Sequence, residues 1–271
     1  MTAAAPARRF SAPPWFGGVV GVVLIVAVWW IASATLFQAS RAIPSPPAVV
    51  ARFLDGDQWV ATLNNAAGTV SSAGLGYLWG NLAAIALAVL VLLVPPLEEL
   101  VNQVAVVTYC IPLVAIGPVI VIVSGRDAPS GASIVLAAMS CFFTTVVGAL
   151  LGLRAAPRTS VDLIRAYGGS TWTVLRKVQL ISALPSLFAA LRIAAPAAFL
   201  GAILAEYLGS GGDSTLGQAL IAAQTQADAP QLWYLALVSG LISGLAFVIV
   251  GLVARLVTPW TTGADTPAGA R

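Results

Sequence analysis

The sequence predicts an all-α, polytopic membrane protein with six transmembrane helices. Of its 271 residues, 59% are hydrophobic and only 8% are charged, whereas soluble domains carry about 25% charged residues. A bilayer favours this depletion, because a charge at the centre of a transmembrane helix costs about 2.5–3.5 kcal/mol on the insertion scale. The apolar runs long enough to cross about 30 Å of hydrocarbon are residues 16–37, 62–94, 100–124, 132–153, 186–207 and 232–257.

Several classes of chemistry are excluded by residues that the sequence lacks. It has no histidine, and its single lysine, Lys177, does not follow a glycine-rich turn, so there is no phosphate-binding P-loop. Cys110 and Cys141 both lie in apolar runs, which favours two buried small hydrophobic residues over a disulfide or a metal pair. The formal charge of +3 is small and does not indicate a nucleic-acid partner. We therefore expect no catalytic site, no cofactor and no metal.

The first 61 residues divide into a tail, a membrane span and an external segment. Residues 1–14 are small, proline-rich and basic, and we expect a disordered cytoplasmic tail. The run 16–37 is too long for the apolar core of a cleavable signal peptide, which favours an uncleaved first span within residues 15–61. After it, residues 41–58 carry three prolines, which predict an extended external entry followed by a short helix.

Residues 62–260 form the predicted helical core, and residues 261–271 a second disordered tail. The second apolar run is rich in glycine and serine, small residues that let membrane helices approach closely. Asn64 and Asn81 are candidates to face a polar passage, because an unpaired amide in hydrocarbon is costly. Hydrogen bonds between helices are an equally open interpretation of these two residues.

The third run, 100–124, contains Pro112 and Pro118. Proline removes a helical hydrogen bond that neighbouring helices can replace, so this run is predicted to form one kinked span. An external turn at 126–131 then leads into the fourth span, 132–153.

A polar stretch, residues 154–185, separates the fourth and fifth apolar runs and holds five of the thirteen basic residues. Thr159 and Asp162 fit a capping box at the start of a first short helix. Gly168 and Gly169 are predicted to end that helix, because glycine adopts the left-handed conformation without a Cβ clash.

A second short helix is predicted to follow this glycine hinge. Ser170 can cap its start, and Trp172 and Leu175 fall on one face at three-residue spacing. The basic pair at 176–177 would lie near its carbonyl end, and Pro185 would stop it or open the next helix. On periodicity alone, an amphipathic surface helix in a cytoplasmic loop is an open alternative.

Two ionisable residues occupy the fifth run, 186–207. Arg192 lies about two turns in and is expected to snorkel toward the inner interface. Glu206, at the far end, is a candidate for the outer mouth of a passage, and a structural carboxylate with hydrogen-bond partners is an equally open interpretation. An external segment, 209–231, with a short helix leads to the last span.

The basic residues are distributed unevenly between the two sides of the predicted bundle. With both tails and the 154–185 stretch on one side, that side holds nine of the thirteen, the other side holds three, and Arg192 lies within the membrane. The positive-inside rule therefore predicts that the polar stretch and both termini are cytoplasmic.

Within the polar stretch, Asp162-Leu163-Ile164 is followed by Gly168 and, further on, by Ala183-Leu184-Pro185. This pattern resembles the EAA loop of ABC-importer permeases, with Asp162-Leu163-Ile164 in the place of Glu-Ala-Ala. The proline-bearing third run resembles the family's third helix, and the proline-rich segment after the first span resembles the nitrate/sulfonate/taurine branch. Over about residues 44–260, the chain is therefore identified as similar to the type I permeases of that branch.

This resemblance implies the type I ABC-importer permease fold and a division of labour between proteins. Two permease subunits, identical or paired paralogues, would enclose a solute pathway in a prokaryotic cell membrane. A cytoplasmic ATPase dimer would use the ATP and receive the EAA loops, and an external solute-binding protein would deliver a small-molecule solute. The ATPase-coupling residues that the resemblance implies are Asp162, Gly168, Gly169, Ser170, Trp172, Leu175 and Pro185. The pathway candidates are Asn64, Asn81, Pro112, Pro118 and Glu206.

Two other classes of function compete with this interpretation. An ion-coupled secondary transporter or channel usually carries intramembrane carboxylates or histidines, and only Glu206 and Arg192 are candidates for such a role here. The third class is a membrane scaffold that transports nothing.

Overall fold

The computed structural model describes residues 14–37, 42–125, 130–212 and 214–261. Residues 1–13 and 262–271 of the predicted tails and residues 126–129 of the external turn lie outside these ranges. Within the described ranges every regular element is helical. The α-helices are α1 Pro14–Thr35, α2 Pro46–Phe53, α3 Gly56–Leu93, α4 Glu98–Cys110, α5 Leu113–Ser124, α6 Gly131–Arg154, α7 Arg158–Ala166, α8 Thr171–Val174, α9 Leu180–Tyr207, α10 Leu216–Thr225 and α11 Ala229–Val257.

Five of the described helical segments are long and apolar enough to cross a membrane, and a bent pair raises the number to six. The pair is α4 and α5, which meet at 95°. The predicted kink in the run 100–124 is therefore a full break, and the run forms two helices and not one. Ile111 is extended, with ψ 120°, as expected for a residue before proline, and Pro112 is extended as well. Pro118, by contrast, lies inside α5.

The bent pair runs from one end of the bundle to the other, which favours one broken span over a re-entrant loop. Glu98, at the start of α4, forms a 2.5 Å ion pair with Arg154, at the end of α6. Gly117, in α5, packs directly against the side chain of Leu208, which follows α9. We call the end that holds Arg154 and α7 the α7 end, and the end that holds Leu208 and α10 the α10 end.

The centre of the bundle is α6, which packs between α3 and α9 through small residues. A Cβ atom at Gly80 would stand 2.6 Å from the Ala138 carbonyl oxygen, and one at Gly152 would stand 2.8 Å from that of Ala183. Contacts this close are open only to glycine, which confirms that glycines of the second run permit close helix approach. Gly74 is an exception, since a Cβ there would meet nothing within 4 Å.

The two cysteines do not share one environment. Cys141 is fully buried in the α6 packing, as predicted. Cys110 is exposed at the end of α4, so the prediction that it is buried is wrong. Both thiols are free.

The first span, α1, lies at the periphery of the bundle and is held at its α10 end. The ring of Trp29 stacks on that of Trp233, with centroids 5.4 Å apart, and its Nε1 donates to the Pro44 carbonyl oxygen. Elsewhere α1 is exposed, as at Ile25. The predicted short helix after the prolines is α2, and Arg52 at its end forms a 2.7 Å ion pair with Asp228.

Candidate functional site

A glycine turn after α7 is the most prominent local feature of the α7 end. Gly168 has φ +76°, and the amides of Gly168 and Gly169 donate to the carbonyl oxygens of Arg165 and Ile164, both at 2.9 Å. This pair of bonds closes a helix through a left-handed residue. The predicted end of the first short helix at Gly168 is therefore confirmed. A Cβ at Gly169 would lie 2.7 Å from the Ile164 carbonyl oxygen, so the turn is closed to larger residues there.

The start of α7 differs from the prediction. The helix begins at Arg158, with Pro157 at the N-cap and no side-chain cap. Thr159 lies inside the first turn, so the predicted capping box with Asp162 does not form. Asp162 is an exposed residue of α7.

The helix after the turn is not short. Ser170 caps its start, because its Oγ accepts a 3.4 Å hydrogen bond from the Thr173 amide, as predicted. The chain then stays helical from Thr171 to Tyr207, through a π-helical turn at Leu175–Gln179. Pro185 lies inside α9 and neither stops nor opens a helix, so that prediction is wrong. Packing of α9 against α6 offsets the hydrogen bond that Pro185 lacks.

The continuity of this helix corrects two further details of the sequence analysis. The basic pair at 176–177 lies within the π turn and not at a carbonyl end. Leu175 is 1% exposed and packs in a cluster with Leu153 and Ala183, whereas Trp172 is 58% exposed. The two residues therefore do not share one exposed face. Tyr167, which the sequence analysis overlooked, is 86% exposed and precedes the glycine turn, whereas Trp172 follows it.

The asparagines of α3 lie in different surroundings. Asn81 is buried, its Oδ1 accepts from the Thr145 hydroxyl of α6, and its Nδ2 donates to the Tyr77 carbonyl oxygen at 2.7 Å. These bonds favour the interhelical interpretation for Asn81. Asn64 is exposed near the start of α3.

The break between α4 and α5 opens onto a cavity of about 270 Å³. Pro112 and Pro118 are both exposed on this broken span. The floor of the cavity is one face of α9, and none of the lining side chains is charged. The lining residues are Thr108, Tyr109, Leu113, Met139, Ser140, Ala197, Leu200, Gly201 and Leu204.

Glu206 lies at the α10 end and is completely buried. Its Oε2 accepts hydrogen bonds from the Thr69 hydroxyl at 2.7 Å and from the Gly217 amide at 3.1 Å. Its Oε1 is buried and has no hydrogen-bond partner among the described residues. The carboxylate thus joins α3, α9 and α10, and this geometry favours the structural interpretation over a place at an open mouth.

Comparisons with known proteins agree with this arrangement. Residues 76–263 match the family described as binding-protein-dependent transport system inner membrane component. The chain is 27% identical to the riboflavin transport system permease protein RibX of Chloroflexus aurantiacus, with 93% of this chain and 92% of that protein covered. It is 24% identical to the putative aliphatic sulfonates transport permease protein SsuC of Bacillus subtilis, with 91% of this chain and 88% of that protein covered.

A solved structure, that of the MetNI methionine ABC transporter in inward-facing conformations, shares the fold with a TM-score of 0.65 at 18% identity. The match covers 75% of this chain and 99% of the solved one. The predicted type I ABC-importer permease fold is confirmed by this match. With a family model that covers most of the helical core, the chain belongs to the binding-protein-dependent transport system inner membrane components and is a transmembrane permease subunit of an ATP-driven ABC importer.

Proposed function

We propose that this chain is one of two permease subunits around a solute pathway, and that its glycine turn docks on a cytoplasmic ATPase. The observation that carries the proposal is the unbroken helical path from Thr171 to Tyr207. Its 37 residues form a lever about 55 Å long at 1.5 Å per residue. One end of the lever is the exposed turn, and the other end reaches the α10 end.

The lever is anchored where it enters the bundle. Val174 and Leu175 are 2% and 1% exposed, so a displacement of the turn pushes directly on the residues that pack against them. Ser170 and Gly168 fix the direction in which the chain enters the lever. Tyr167 and Trp172 supply an exposed aromatic surface for the ATPase to grip. Asp162 is exposed on α7, the helix that precedes the turn, and supplies a charge at the same end of the bundle.

The same lever lines the cavity at the α4–α5 break. Ala197, Leu200, Gly201 and Leu204 follow the spacing of one helical face, and all of them line that cavity. Non-helical backbone at membrane depth is tolerated where it is covered by protein or lines a water-filled space. Pro112 is extended and exposed, which favours a pathway surface that the second subunit completes. Rotation of α9 would then open or close the pathway.

The orientation follows from charge and stays a proposal. Among the described residues, the α7 end carries six basic side chains and the α10 end carries that of Arg52. The six are Arg154, Arg158, Arg165, Arg176, Lys177 and Arg255. The positive-inside rule therefore places the α7 end, and with it both termini, in the cytoplasm of a prokaryotic cell. The α10 end then faces the external solute-binding protein. The names of the relatives indicate small organic solutes such as riboflavin and sulfonates. Because the cavity lining lacks charge, we propose that solute choice is made mainly by the binding protein.

Substitution of Gly168 tests the coupling role. Gly168→Val forces a β-branched residue into φ +76°, with no clash in space, since nothing lies within 4 Å of its Cβ position. With the transporter reconstituted in vesicles, we expect ATP hydrolysis to continue while uptake falls at least about tenfold, because a misplacement of about 1 Å costs up to about a hundredfold in rate. Gly125→Val is the matched control, because Gly125 has φ +71°, an equally open Cβ position and a place at the other end of the bundle. Normal uptake by Gly168→Val would overturn the proposal.

A further inference from the structure

The buried carboxyl group of Glu206, at the α10 end, has two oxygen atoms in unequal surroundings. Its Oε2 accepts hydrogen bonds from the Thr69 hydroxyl and the Gly217 amide, whereas Oε1, which is also buried, has no hydrogen-bond partner among the described residues. An ionised carboxylate has two equivalent acceptor oxygens, and a protonated carboxyl has one hydroxyl oxygen and one carbonyl oxygen. The unequal distribution of donors therefore favours the protonated form, with Oε2 as the carbonyl oxygen.

Glycine residues close the protein tightly around this group. A Cβ atom at Gly217 would lie 2.3 Å from Cβ of Glu206, and one at Gly211 would lie 3.2 Å from its Cγ. A Cβ at Gly68, on α3, would lie 2.4 Å from the Ser214 carbonyl oxygen, so the backbone just before α10 touches α3. Glu206 itself is 0% exposed. The carboxyl group is therefore separated from bulk water in this conformation.

The described residues place no cation beside this carboxyl group. Their ion pairs involve Arg52 and Arg154 and not Glu206. Arg192, on the same helix as Glu206, is fourteen residues or about 21 Å away. The remaining basic residues of the described ranges lie at the α7 end. A negative charge at Glu206 would therefore be buried without a partner.

Other ionisable groups do not face this carboxyl either. Of the two helices that bond to it, α10 contains no ionisable residue. Besides Arg192, the ionisable residues of α3 and α9 are Asp57, Tyr77 and Tyr207. The two on α3 lie at least eight residues, or about 12 Å, from Thr69. Tyr207 donates its hydroxyl to the side chain of Gln224. Asp213 lies outside the described residues.

A proton removes most of the cost of burying this group. An unpaired charge costs far more to bury than an unpaired polar group, and a buried acid in such surroundings becomes neutral by taking up a proton. The hydroxyl formed at Oε1 would still lack a partner, but it would carry no charge. Oε2, as the carbonyl oxygen, keeps both of its donors. The burial and the hydrogen bonds thus favour the same form.

We propose that Glu206 is a proton-binding site, in which a proton on Oε1 keeps the carboxyl neutral and α10 packed on α3 and α9. When α10 moves away, water reaches the group, which then ionises as an exposed glutamate does at neutral pH. The O–H bond at Oε1 breaks, its electron pair stays on the carboxylate, and the proton goes to water. Separation of α10 therefore releases one proton, so a rise in pH favours the separated state. The joint between α9 and α10 is a pH-sensitive switch.

Infrared spectroscopy tests the proton directly. The full chain, purified with its transporter partners, is measured at neutral pH, and the spectrum of Glu206→Gln is subtracted. We expect the difference to contain the C=O stretching band of a protonated carboxylic acid and no loss of carboxylate bands. Glu99→Gln, which removes an exposed carboxylate, is the control and should show the opposite pattern. A loss of carboxylate bands in Glu206→Gln would overturn the proposal.

Hydrogen exchange tests the link between the proton and α10. Amide exchange of residues 216–225 is measured between about pH 6 and 8, where an exposed glutamate is ionised, and is corrected for the intrinsic rate at each pH. The corrected opening constant should rise about tenfold per pH unit, because each opening releases one proton.

The matched variants separate this effect from a general pH dependence of the fold. Glu206→Gln has the same shape and no proton to release, so its corrected opening constant should not change with pH. Glu99→Gln should show the same rise as the parent chain. Equal pH dependence in the parent chain and Glu206→Gln would overturn the proposal. Neither measurement depends on the coupling role of the glycine turn.

Discussion

The hydroxyl of Thr69 donates a 2.7 Å hydrogen bond to Oε2 of Glu206, which joins the second and fifth spans at a buried point. The Gly217 amide donates to the same oxygen and ties α10 to them. Sequence alone left Glu206 open to a role at a pathway mouth. Its contacts indicate a latch that holds α10 in place.

Removal of this carboxylate should loosen α10. Glu206→Ala leaves the Gly217 amide without an acceptor and leaves the Thr69 hydroxyl with only its 3.3 Å bond to the Asn65 carbonyl oxygen. A buried unpaired group costs about 1–3 kcal/mol. We expect a lower free energy of unfolding in detergent and faster proteolysis of the 209–227 segment. Glu206→Gln keeps an acceptor oxygen for both donors and should stay within about 1 kcal/mol of the parent chain. A change in the solute KM with unchanged stability would instead favour a solute contact.

Alanine substitutions of Trp172 and Leu175, the two large apolar residues after the glycine turn, should have different effects on stability and on transport. Leu175→Ala opens a cavity in packed surroundings and should lower the free energy of unfolding by about 2–5 kcal/mol. Trp172→Ala, at a 58% exposed residue, should leave unfolding nearly unchanged and reduce uptake relative to ATP hydrolysis. Trp260→Ala, at another exposed tryptophan, is the control and should change neither quantity. Normal uptake by Trp172→Ala would count against an aromatic docking surface.

Glycines of α3 that contact α6 should tolerate substitution far less than glycines of α3 whose Cβ positions are open. Gly80→Leu places a side chain against the Ala138 backbone, where Cβ alone would be 2.6 Å from a carbonyl oxygen. Overpacking of this kind costs about 1–3 kcal/mol or more, and we expect little folded protein in the membrane. Gly74→Ala, with open space at its Cβ position, should accumulate normally. Equal amounts of the two variants would show that α3 and α6 are further apart than described.

The ion pair between Glu98 and Arg154 should contribute little to stability. Both side chains are partly exposed, at 39% and 48%, so water and salt screen the attraction between the two charges. A double-mutant cycle of Glu98→Gln and Arg154→Gln should give a small coupling energy that falls as salt is raised. A larger, salt-independent coupling would indicate that the pair is covered by a partner in the assembled transporter.

Accessibility of single cysteines tests the proposed orientation. In a background of Cys110→Ser and Cys141→Ala, Thr171→Cys should react with an impermeant reagent only after cells are opened. Gln226→Cys, exposed just after α10, should react in intact cells. The reverse pattern would place the glycine turn outside and exclude a cytoplasmic ATPase as its partner.

The effect of each proline on its helix was not predictable from the sequence. The membrane spans were predictable, because long apolar runs indicate burial in lipid. Pro112 and Pro185 gave no local signal to separate them, yet the chain breaks at Pro112 and stays helical through Pro185. The difference is tertiary: α9 near Pro185 is clamped against α6 by contacts such as Gly152 on Ala183. The bend at Pro112 borders a cavity.

The candidate site was predictable where it depends on backbone conformation and less so where it depends on packing. Gly168 and Ser170 were found because a left-handed residue and a helix cap have local sequence signals. The burial of Leu175 and the partners of Glu206 depend on residues far away in the chain, so periodicity could not reveal them.

The π-helical turn at Leu175–Gln179 sets the direction in which the docking surface points. Each residue added to a helix rotates everything before it by about 100°, so a one-residue deletion there would swing Trp172 to another quadrant while every contact of α9 beyond it stayed as it is. A one-residue deletion at this turn would therefore redirect the surface proposed to bind the ATPase and leave the packing of α9 in the membrane unchanged.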